Sequence, residues 1–373
     1  MFSMRVLVTG SSGFIGRNLL FRLTEEPRFE VLPVTRQTSD EDLKTAVGRA
    51  DAVVHLAGVN RPKNETAFET DNTQFTQQFC NLLVKDGRAL PVVAASSIQA
   101  ERETPYGQSK RGAEKALEEY ARTSNAPVSI YRLVNVFGKW CRPNYNSVVA
   151  TFVYNITHDL PITIHDPSTE IRLVYVDDVI DTWIKNLFHV EPGLTWPTIK
   201  TEYRTTVGEL SEIIRGFRDI RTTRQVGKVG VGLGRALYAT YVSYLDPERF
   251  SYSLQGHSDE RGLFAEMLRT EESGQFSFFS VRPGFTRGGH YHHTKTEKFL
   301  VLRGDARFRF REILTGQRHE IETSDKELVV VETIPGWAHD ITNVGDEEMI
   351  VMLWANEVFD PERPDTIIAE LSS

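Results

Sequence analysis

Short apolar runs alternate with longer amphipathic stretches over the first third of the chain. Between about Arg5 and Arg132 these runs are RVLVTG, FEVLPVT, DAVVHLAG, PVVAASS and VSIYRLV. Apolar runs of this length, separated by segments with a helical period, are typical of buried parallel strands joined by helices. The pattern predicts a doubly wound parallel α/β sheet, and the later helical patterns VDDVIDTWIKNLF and TVGELSEIIRGF are expected to cap it.

The pattern changes after Asp219. RTTRQVGKVGVGLGR is rich in Gly and Arg, and from Phe250 onward the runs FSFFSV, KFLVLRG, ARFRFRE, KELVVVE and EMIVMLW follow one another closely. Closely spaced strands without intervening helices predict an all-β sandwich or barrel. A length of 373 residues also favours two domains, which we expect at 1–245 and 246–373.

Composition and charge narrow the class of protein. Hydrophobic residues make up 40% of the chain and charged residues 25%, as in folded globular proteins. The formal net charge of −8 at pH 7 argues against a nucleic-acid partner, which would need a basic surface. Because the chain has neither a long apolar run nor a signal-peptide pattern at its start, we expect no membrane partner and a cytoplasmic location.

The two cysteines, Cys80 and Cys141, are too few for a disulfide framework and form no CxxC pair. They are consistent with a reducing compartment. We expect both to be packing or surface residues rather than nucleophiles.

A glycine-rich turn, TGSSGFIG, follows the first predicted strand and precedes the first helix. Glycine permits a tight turn and a close backbone approach, and the helix N-terminus offers unpaired N–H groups to a pyrophosphate. This arrangement is typical of a Rossmann-type dinucleotide site. With the HLAG segment that ends the third strand, the predicted cofactor-binding residues are Gly10, Ser12, Gly13, Phe14, Ile15, Gly16, Leu56, Ala57 and Gly58. His55 is expected to be a packed histidine.

The second predicted strand ends in Thr35-Arg36-Gln37, where an acidic residue would accept hydrogen bonds from the ribose hydroxyls of NAD. Arg36 could instead pair with a 2′-phosphate, so the sequence favours NADPH. A solvated surface arginine is the alternative interpretation.

Tyr106 and Lys110 are four residues apart at the start of the helix that follows the fourth strand, which ends in Ser96-Ser97. Residues at this spacing share a helix face, so the Lys110 ammonium can lower the pKa of the Tyr106 phenol and hold a ribose hydroxyl. Tyr106 would donate a proton to a carbonyl oxygen that Ser97 polarises.

The motifs TGSSGFIG, VVHLAG, the paired serines, YGQSK, YRLVNVFG and LVYVDDV resemble the extended short-chain dehydrogenase/reductase family over residues 4 to 245. The resemblance implies action on nucleotide-linked sugars. It also implies that Ser97, Tyr106 and Lys110 are the catalytic residues, with Tyr106 and Lys110 also contacting the cofactor.

A histidine cluster lies in the second half of the chain, in GFTRGGHYHHTKTEKFLVLRG, and PGWAH follows about forty residues later. In a strand His290 and His292 point to the same face, and a neighbouring strand could bring Glu297 alongside. His339 would complete a site of three imidazoles and one carboxylate, which suits Zn, Fe, Mn or Ni. His293 faces away, so we expect it behind the ligands or at the surface.

Both histidine motifs resemble those of cupins, which implies a jelly-roll domain over about residues 250 to 360. DERGLFAE and RGGHYH also resemble the 3,5-epimerases of deoxysugar nucleotides, in which the histidine at the position of His290 is a base without metal. His290 therefore has two candidate roles, catalytic base or metal ligand. Glu297 and His339 favour the ligand role, with zinc as the expected metal.

A ketone would connect the two predicted sites, because its neighbouring C–H bond is acidic and its carbonyl carbon accepts hydride. Including GKWCRPNYNSV and HHTKTEKF, the chain resembles from end to end the bifunctional capsular and O-antigen enzymes that make UDP-2-acetamido-2,6-dideoxy-L-talose. This resemblance implies epimerisation of a UDP-2-acetamido-2,6-dideoxy-4-hexulose at carbon 3, reduction at carbon 4 with NADPH, and a homodimer. The alternatives are an NADP-sensing, sugar-binding protein without turnover and an iron cupin dioxygenase fused to a reductase.

Overall fold

The computed structural model describes residues 3–62, 64–188, 191–254, 257–259, 262–264, 267–270, 274–357, 362–369 and 371. The chain divides into two compact units. The first comprises Met1–Phe137, Cys141–Ser147 and Ile171–Arg204, and the second comprises Gly138–Trp140, Val148–Glu170 and Thr205–Ser373. Within the described ranges, no helix has the length and apolar character needed to cross a membrane.

Strands and helices alternate in the first 206 residues. The strands are β1 (Met4–Thr9), β2 (Phe29–Val34), β3 (Ala52–His55), β4 (Val92–Ser97), β5 (Val128–Leu133), β6 (Asn135–Phe137), β7 (Glu170–Tyr175), β8 (Leu194–Thr195) and β9 (Tyr203–Thr206). The helices are α1 (Phe14–Thr24), α2 (Asp40–Arg49), α3 (Thr66–Phe68), α4 (Phe75–Asp86), α5 (Pro105–Ser124), α6 (Val148–Thr157) and α7 (Val176–Phe188). A π-helical turn, Glu69–Gln74, joins α3 to α4.

The first unit is built on a six-stranded sheet with the order β2-β1-β3-β4-β5-β8, in which all neighbours are parallel. The five apolar runs identified in the sequence are its first five strands, so the predicted Rossmann-type α/β fold is confirmed. β1 is buried along most of its length because helices cover both faces of such a sheet. The order reverses between β1 and β3, and ligands bind at the carboxyl ends of strands beside such a switch point.

The second unit contains the helices α8 (Val207–Thr223) and α9 (Gly232–Val242) and mostly antiparallel strands. The strands are β10 (Gln225–Val226), β11 (Ser251–Ser253), β12 (His257–Asp259), β13 (Gly262–Phe264), β14 (Arg269–Thr270), β15 (Gln275–Val281), β16 (Thr286–Tyr291), β17 (Glu297–Arg303), β18 (Asp305–Glu312), β19 (Arg318–Ser324), β20 (Val329–Glu332), β21 (Trp337–Asn343), β22 (Met349–Ala355) and β23 (Ile367–Ile368).

Two five-stranded antiparallel sheets form most of this unit, with the orders β11-β20-β17-β22-β15 and β19-β18-β21-β16-β23. Phe299 on β17 of one sheet meets Phe308 on β18 of the other, with ring centroids 5.6 Å apart. The alternation in ARFRFRE buries Phe308 and Phe310 on the inner face. The prediction of an all-β region is confirmed.

Helix α8 corrects one expectation from the sequence. TVGELSEIIRGF forms this helix, but it belongs to the second unit, where it packs against α6 and α9. Phe217 of α8 contacts Tyr238 and Tyr241 of α9, with ring centroids 5.1 Å and 5.7 Å away. α9 begins near the end of the Gly- and Arg-rich stretch, which spans residues 221–235. The division into domains at 1–245 and 246–373 stays a prediction from the sequence.

We expect Phe308→Ala to lower the free energy of unfolding by about 3–5 kcal/mol, because it removes a ring that is 2% exposed between the two sheets. Phe278→Ala is the matched control in the same unit. Its ring is 75% exposed, so the expected change is within about 0.5 kcal/mol. Urea titration of both variants measures the difference, and equal losses would contradict the assignment of the core to the space between the sheets.

Candidate functional sites

A cavity of about 720 Å³ lies in the first unit beside the carboxyl ends of its parallel strands. Ten of the residues predicted from the sequence line it: Ser12, Gly13, Phe14, Ile15, Arg36, Leu56, Gly58, Ser97, Tyr106 and Lys110. They come from the turn after β1 and from the segments that follow β2, β3 and β4. The sheet topology therefore brings together residues that the sequence places up to about one hundred positions apart.

The glycine turn between β1 and α1 allows backbone segments to approach closely. Gly10 has a φ of +66°, and a Cβ there would lie 2.7 Å from the backbone nitrogen of Ala57. A Cβ on Gly16 would lie 2.3 Å from the carbonyl oxygen of Gly10. Gly10, Gly16 and Ala57 are thus packing residues behind the cavity wall. Gly13 caps α1 without a side-chain hydrogen bond, which leaves the first N–H groups of the helix for an anion.

Arg36 lies on the cavity wall with 77% of its side chain exposed. Its guanidinium donates a hydrogen bond of 3.0 Å to the carboxylate of Asp71. An exposed ion pair of this kind is weak, so a phosphate could replace the carboxylate as the partner of Arg36. The role of Arg36 in selecting NADPH stays a prediction.

Tyr106 and Lys110 share one face of α5, and Ser97 ends β4 opposite them. Thr104 begins the helix by accepting a hydrogen bond of 3.1 Å from the backbone N–H of Gly107, and Pro105 occupies the first turn. The Lys110 Nζ is 5.9 Å from the centre of the Tyr106 ring. Ser97 shares a hydrogen bond with the Tyr106 hydroxyl. The three side chains thus present a phenol, a hydroxyl and an amine to one wall of the cavity.

The pKa values of this group are set mainly by burial. Desolvation raises the pKa of Tyr106, and the hydrogen bond with Ser97 opposes that shift without reversing it. The net direction is opposite to the lowering expected from the Tyr106 and Lys110 spacing, because removal from water is the largest cause of the shift. Desolvation also lowers the pKa of Lys110 to about 8, although the Glu114 carboxylate works against this.

Glu114 is a buried residue of this site that sequence reasoning missed. It follows Tyr106 and Lys110 on the same helix face and accepts a hydrogen bond of 2.6 Å from Ser96. The Arg132 guanidinium donates two further hydrogen bonds to its oxygens, at 2.9 and 2.7 Å. Glu114 therefore ties α5 to β4 and β5. The signal that could have revealed it is a carboxylate four residues beyond Lys110 on a face predicted to be buried.

Asn72 was also missed. It is buried in the π-helical turn, and its amide donates to the Ser109 hydroxyl at 2.9 Å and to the Val59 carbonyl at 3.0 Å. Its side-chain oxygen accepts the Val59 N–H at 2.7 Å. Asn72 thus joins the segment after β3 to α5, and π-helical turns of this kind are frequent at functional sites.

His55 and the two cysteines behave as predicted. His55 is buried, its ring nitrogens lie 2.9 Å and 3.0 Å from the hydroxyls of Thr9 and Thr76, and burial lowers its pKa to about 3. Burial raises the pKa of Cys80 to about 12 and that of Cys141 to about 11. Thiols with pKa values in this range are protonated near neutral pH, which makes them poor nucleophiles.

The second site lies between the two antiparallel sheets of the second unit. His290 on β16 is directly opposite His339 on the neighbouring strand β21. Glu297 begins β17 in the other sheet, so the expectation that a neighbouring strand brings this carboxylate alongside is wrong. The neighbouring strand contributes His339, and the carboxylate crosses the space between the sheets. His292 follows β16 and completes the set.

The donor atoms of His290, His292, Glu297 and His339 all lie within 4.8 Å of one another. The Oε2 of Glu297 is 3.2 Å from the Nε2 of His292 and 3.5 Å from the Nε2 of His339. The His339 Nε2 is buried and makes no hydrogen bond with good geometry. Three imidazoles and one carboxylate converge here, and the His339 Nε2 has no hydrogen-bond partner among them. This set of side chains fits a divalent first-row metal ion.

Burial and the neighbouring groups favour the neutral form of His290 and His339 and the ionised form of Glu297. Desolvation, together with His339 and His292, lowers the pKa of His290 to about 4. Desolvation also lowers the pKa of His339. Burial works to raise the pKa of Glu297, but the adjacent imidazoles of His292 and His339 outweigh it and hold the pKa well below its usual range. Neutral imidazoles and an ionised carboxylate are the forms that bind metals.

Other groups orient these side chains. The Nδ1 of His292 donates to the backbone carbonyl of Asp365, and the Nδ1 of His339 lies 3.4 Å from the carbonyl of Trp337. The Lys295 ammonium lies 3.1 Å from the second oxygen of Glu297. Sequence reasoning missed both Lys295 and Asp365.

His293 is buried, so the expectation that it could lie at the surface is wrong. Its backbone N–H donates to the Asp365 carboxylate at 2.8 Å. The other expected position, behind the ligands, agrees with this burial. Part of the DERGLFAE motif, at residues 260–261 and 265–266, lies outside the described residues.

The pKa of Lys110 generates a prediction about stability. Below about pH 8 this lysine is charged in both the folded and unfolded chains, so the folded chain bears the full cost of desolvation. Between about pH 8 and 10.5 only the unfolded chain keeps the proton, and wild-type stability should rise with pH.

We therefore expect Lys110→Met to be more stable than wild type below about pH 8, with an advantage that shrinks at higher pH. Thermal unfolding across this range measures it. Lys115→Met, at an exposed position of the same helix, is the matched control and should follow the wild-type profile. An advantage of Lys110→Met that stays constant with pH would contradict the burial of a charged Lys110.

Two regions of the chain match known protein families. Residues 6–195 match the NAD dependent epimerase/dehydratase family, and this range includes the residues that line the cavity of the first unit. Residues 257–367 match the polysaccharide biosynthesis C-terminal domain, which spans the four clustered metal-binding candidates.

A curated relative from Pseudomonas aeruginosa, UDP-2-acetamido-2,6-beta-L-arabino-hexul-4-ose reductase, is 52% identical over 363 residues, which cover 97% of this chain and 98% of the relative. Among solved structures, the capsular polysaccharide assembling protein CapF from Staphylococcus aureus is 40% identical with a TM-score of 0.67, covering 99% of this chain and 100% of CapF. A UDP-glucuronic acid 4-epimerase from Bacillus cereus is 19% identical with a TM-score of 0.52. The match covers 58% of this chain and 83% of the epimerase chain, and over that part the two share a fold. By its glycine turn, its cavity and these matches, the chain belongs to the NAD dependent epimerase/dehydratase family.

Proposed function

We propose that the chain reduces carbon 4 of a UDP-2-acetamido-2,6-dideoxy-4-hexulose with NADPH, after epimerising carbon 3 in its second unit. The product would be UDP-2-acetamido-2,6-dideoxy-L-talose, a precursor of a surface polysaccharide. The observation that carries the proposal is the meeting of Ser97, Tyr106 and Lys110 on the wall of a cavity that begins at the glycine turn. The reductase from Pseudomonas aeruginosa supports the choice of substrate class.

The cavity residues fit a dinucleotide. The uncapped N-terminus of α1 suits a pyrophosphate, and Gly10 and Gly16 permit the close packing that keeps this helix end at the cavity. Arg36 suits the 2′-phosphate that distinguishes NADPH from NADH. A bound NADPH would supply a hydride to the carbonyl carbon.

The protein side of the reduction consists of proton transfer and orientation. Tyr106, a phenol that is protonated near neutral pH and whose pKa burial raises further, donates its proton to the carbonyl oxygen as that oxygen gains charge. Ser97 donates a hydrogen bond to the same oxygen. Lys110 holds a ribose hydroxyl, and Glu114 fixes the helix that carries both Tyr106 and Lys110.

In the second unit, His290, His292, Glu297 and His339 would hold a divalent metal ion, which we propose to be zinc. The ion would supply a Lewis acid for a carbonyl oxygen. Epimerisation removes the proton from carbon 3, delocalises the resulting negative charge onto the oxygen at carbon 4, and returns a proton to the opposite face of carbon 3. Reduction at carbon 4 then removes the ketone, so the centre no longer exchanges. The homodimeric state and the cytoplasmic location stay predictions from the sequence.

Tyr106→Phe should lower the rate of NADPH oxidation by about 10²–10⁴-fold, because it removes the proton donor and keeps the ring. Exchange of the carbon 3 proton with deuterium oxide should continue at the wild-type rate. NMR of the UDP-4-hexulose in deuterium oxide, with and without NADPH, follows both reactions. Loss of exchange in a folded Tyr106→Phe protein would contradict the division of labour between the units.

His290→Ala should abolish exchange at carbon 3 and leave reduction of an already epimerised substrate intact. Zinc content, measured by atomic emission, separates the two candidate roles of His290. Loss of zinc together with exchange assigns it as a ligand, whereas loss of exchange with zinc retained assigns it as the base. Unchanged exchange would remove His290 from the epimerisation site.

Arg36→Ala should reduce the preference for NADPH over NADH, because the guanidinium is the group expected to bind the 2′-phosphate. The ratio of kcat/KM for the two cofactors measures the preference. Arg49→Ala is a suitable control because Arg49 is also an exposed arginine paired with a carboxylate, that of Glu30. An unchanged ratio in Arg36→Ala would exclude Arg36 from the cofactor site.

A further inference from the structure

The segment 362–369, which approaches the end of the chain, lies against the strand and loop that carry two of the proposed metal ligands. In this segment Asp365 is about seventy residues from His292 and His293 in sequence but in direct contact with both. Nothing in the local sequence pattern around Asp365 predicts this contact.

The Asp365 carboxylate binds three consecutive backbone N–H groups of the loop between His292 and Glu297. One oxygen accepts from His293 at 2.8 Å, and the other accepts from Thr294 at 2.7 Å and from Lys295 at 2.9 Å. The Thr294 hydroxyl donates to the same carboxylate at 2.9 Å. These contacts fix the backbone between His292 and Glu297, which are both proposed ligands.

The backbone carbonyl of Asp365 has a different partner, the Nδ1 of His292. A carbonyl accepts only from a proton-bearing nitrogen, so this contact requires a proton on Nδ1. The other ring nitrogen, Nε2, faces the site at 3.2 Å from the Glu297 carboxylate and is the atom that would bind the metal. Hydrogen bonds of this kind orient histidine ligands and make them more basic.

The residues that follow Asp365 pair with β16, the strand that carries His290. β23 pairs with β16, with Ile368 opposite His290, and the Ala369 N–H donates to the Gly289 carbonyl at 2.8 Å. Leu371 is buried in a small apolar cluster with Tyr291 and Ala338. β23 therefore covers the side of β16 away from β21.

From this geometry we infer that Asp365 is a positioning residue for the metal ligands, its carboxylate fixing the loop from His292 to Glu297 and its carbonyl orienting the His292 ring. The inference rests on the proposed metal site. It predicts that loss of the carboxylate weakens metal binding in a chain that is still folded.

The test measures zinc affinity of the full-length chain by competition with a chromophoric chelator, and ligand geometry from the visible spectrum of the cobalt(II)-substituted protein. Asp365→Ala should bind zinc about 10–100-fold more weakly and change the cobalt bands. Asp365→Asn, which keeps one acceptor oxygen, should fall between Asp365→Ala and wild type. Asp346→Asn, the same chemical change at an exposed turn of the same unit, is the matched control and should match wild type in both measurements.

Thr294→Val keeps the experiment decisive if Asp365→Ala does not fold. It removes one of the four hydrogen bonds to the carboxylate and should weaken zinc binding by a smaller factor than Asp365→Ala. Wild-type affinity and cobalt spectrum in folded Asp365→Asn and Thr294→Val proteins would overturn the positioning role alone. Absence of zinc binding by the unaltered chain would instead overturn the proposed metal site, and this inference with it.

Discussion

The first unit depends on the close approach of two backbone segments at the glycine turn. Because Gly10 has no Cβ, the turn after β1 lies against the backbone of Leu56 and Ala57. Because Gly16 has none either, the first turn of α1 packs directly on the backbone of Gly10. This contact sets the direction of α1 and leaves its uncapped N-terminus at the edge of the sheet. The cavity, with the phenol and amine of α5 on its wall, follows from that edge because parallel strands end there together.

Buried hydrogen bonds hold the helix that carries Tyr106 and Lys110 in place at the cavity wall. Ser96 and Arg132 both bind Glu114, which anchors the helix of Tyr106 and Lys110 to two adjacent strands. Asn72 anchors the same helix to the segment after β3. These buried groups satisfy one another's hydrogen bonds, which gives a fixed geometry at a small cost in free energy. Ser97, next to Ser96, remains available to the Tyr106 hydroxyl.

The second unit uses the gap between two sheets in a comparable way. His290 and His339 are opposite one another on adjacent strands of one sheet, and Glu297 reaches them from the other sheet. Such a cluster is costly to bury unless its charges are shared, and Glu297 shares its oxygens with His292, His339 and Lys295. A metal ion would complete this sharing.

The sequence by itself determined the elements and the residue types that gather at the two sites. Strand and helix periodicity predicted the parallel sheet and the all-β region, and the motifs identified the residues that meet on the cavity wall and in the histidine cluster. Only the tertiary structure decided that Glu297 comes from the facing sheet, that α8 packs on α6 and α9, and that Asp365 binds the backbone just after His292. The physical reason is that periodicity reports which face of an element is buried, whereas the partner of that face is chosen by packing between segments that are distant in the chain.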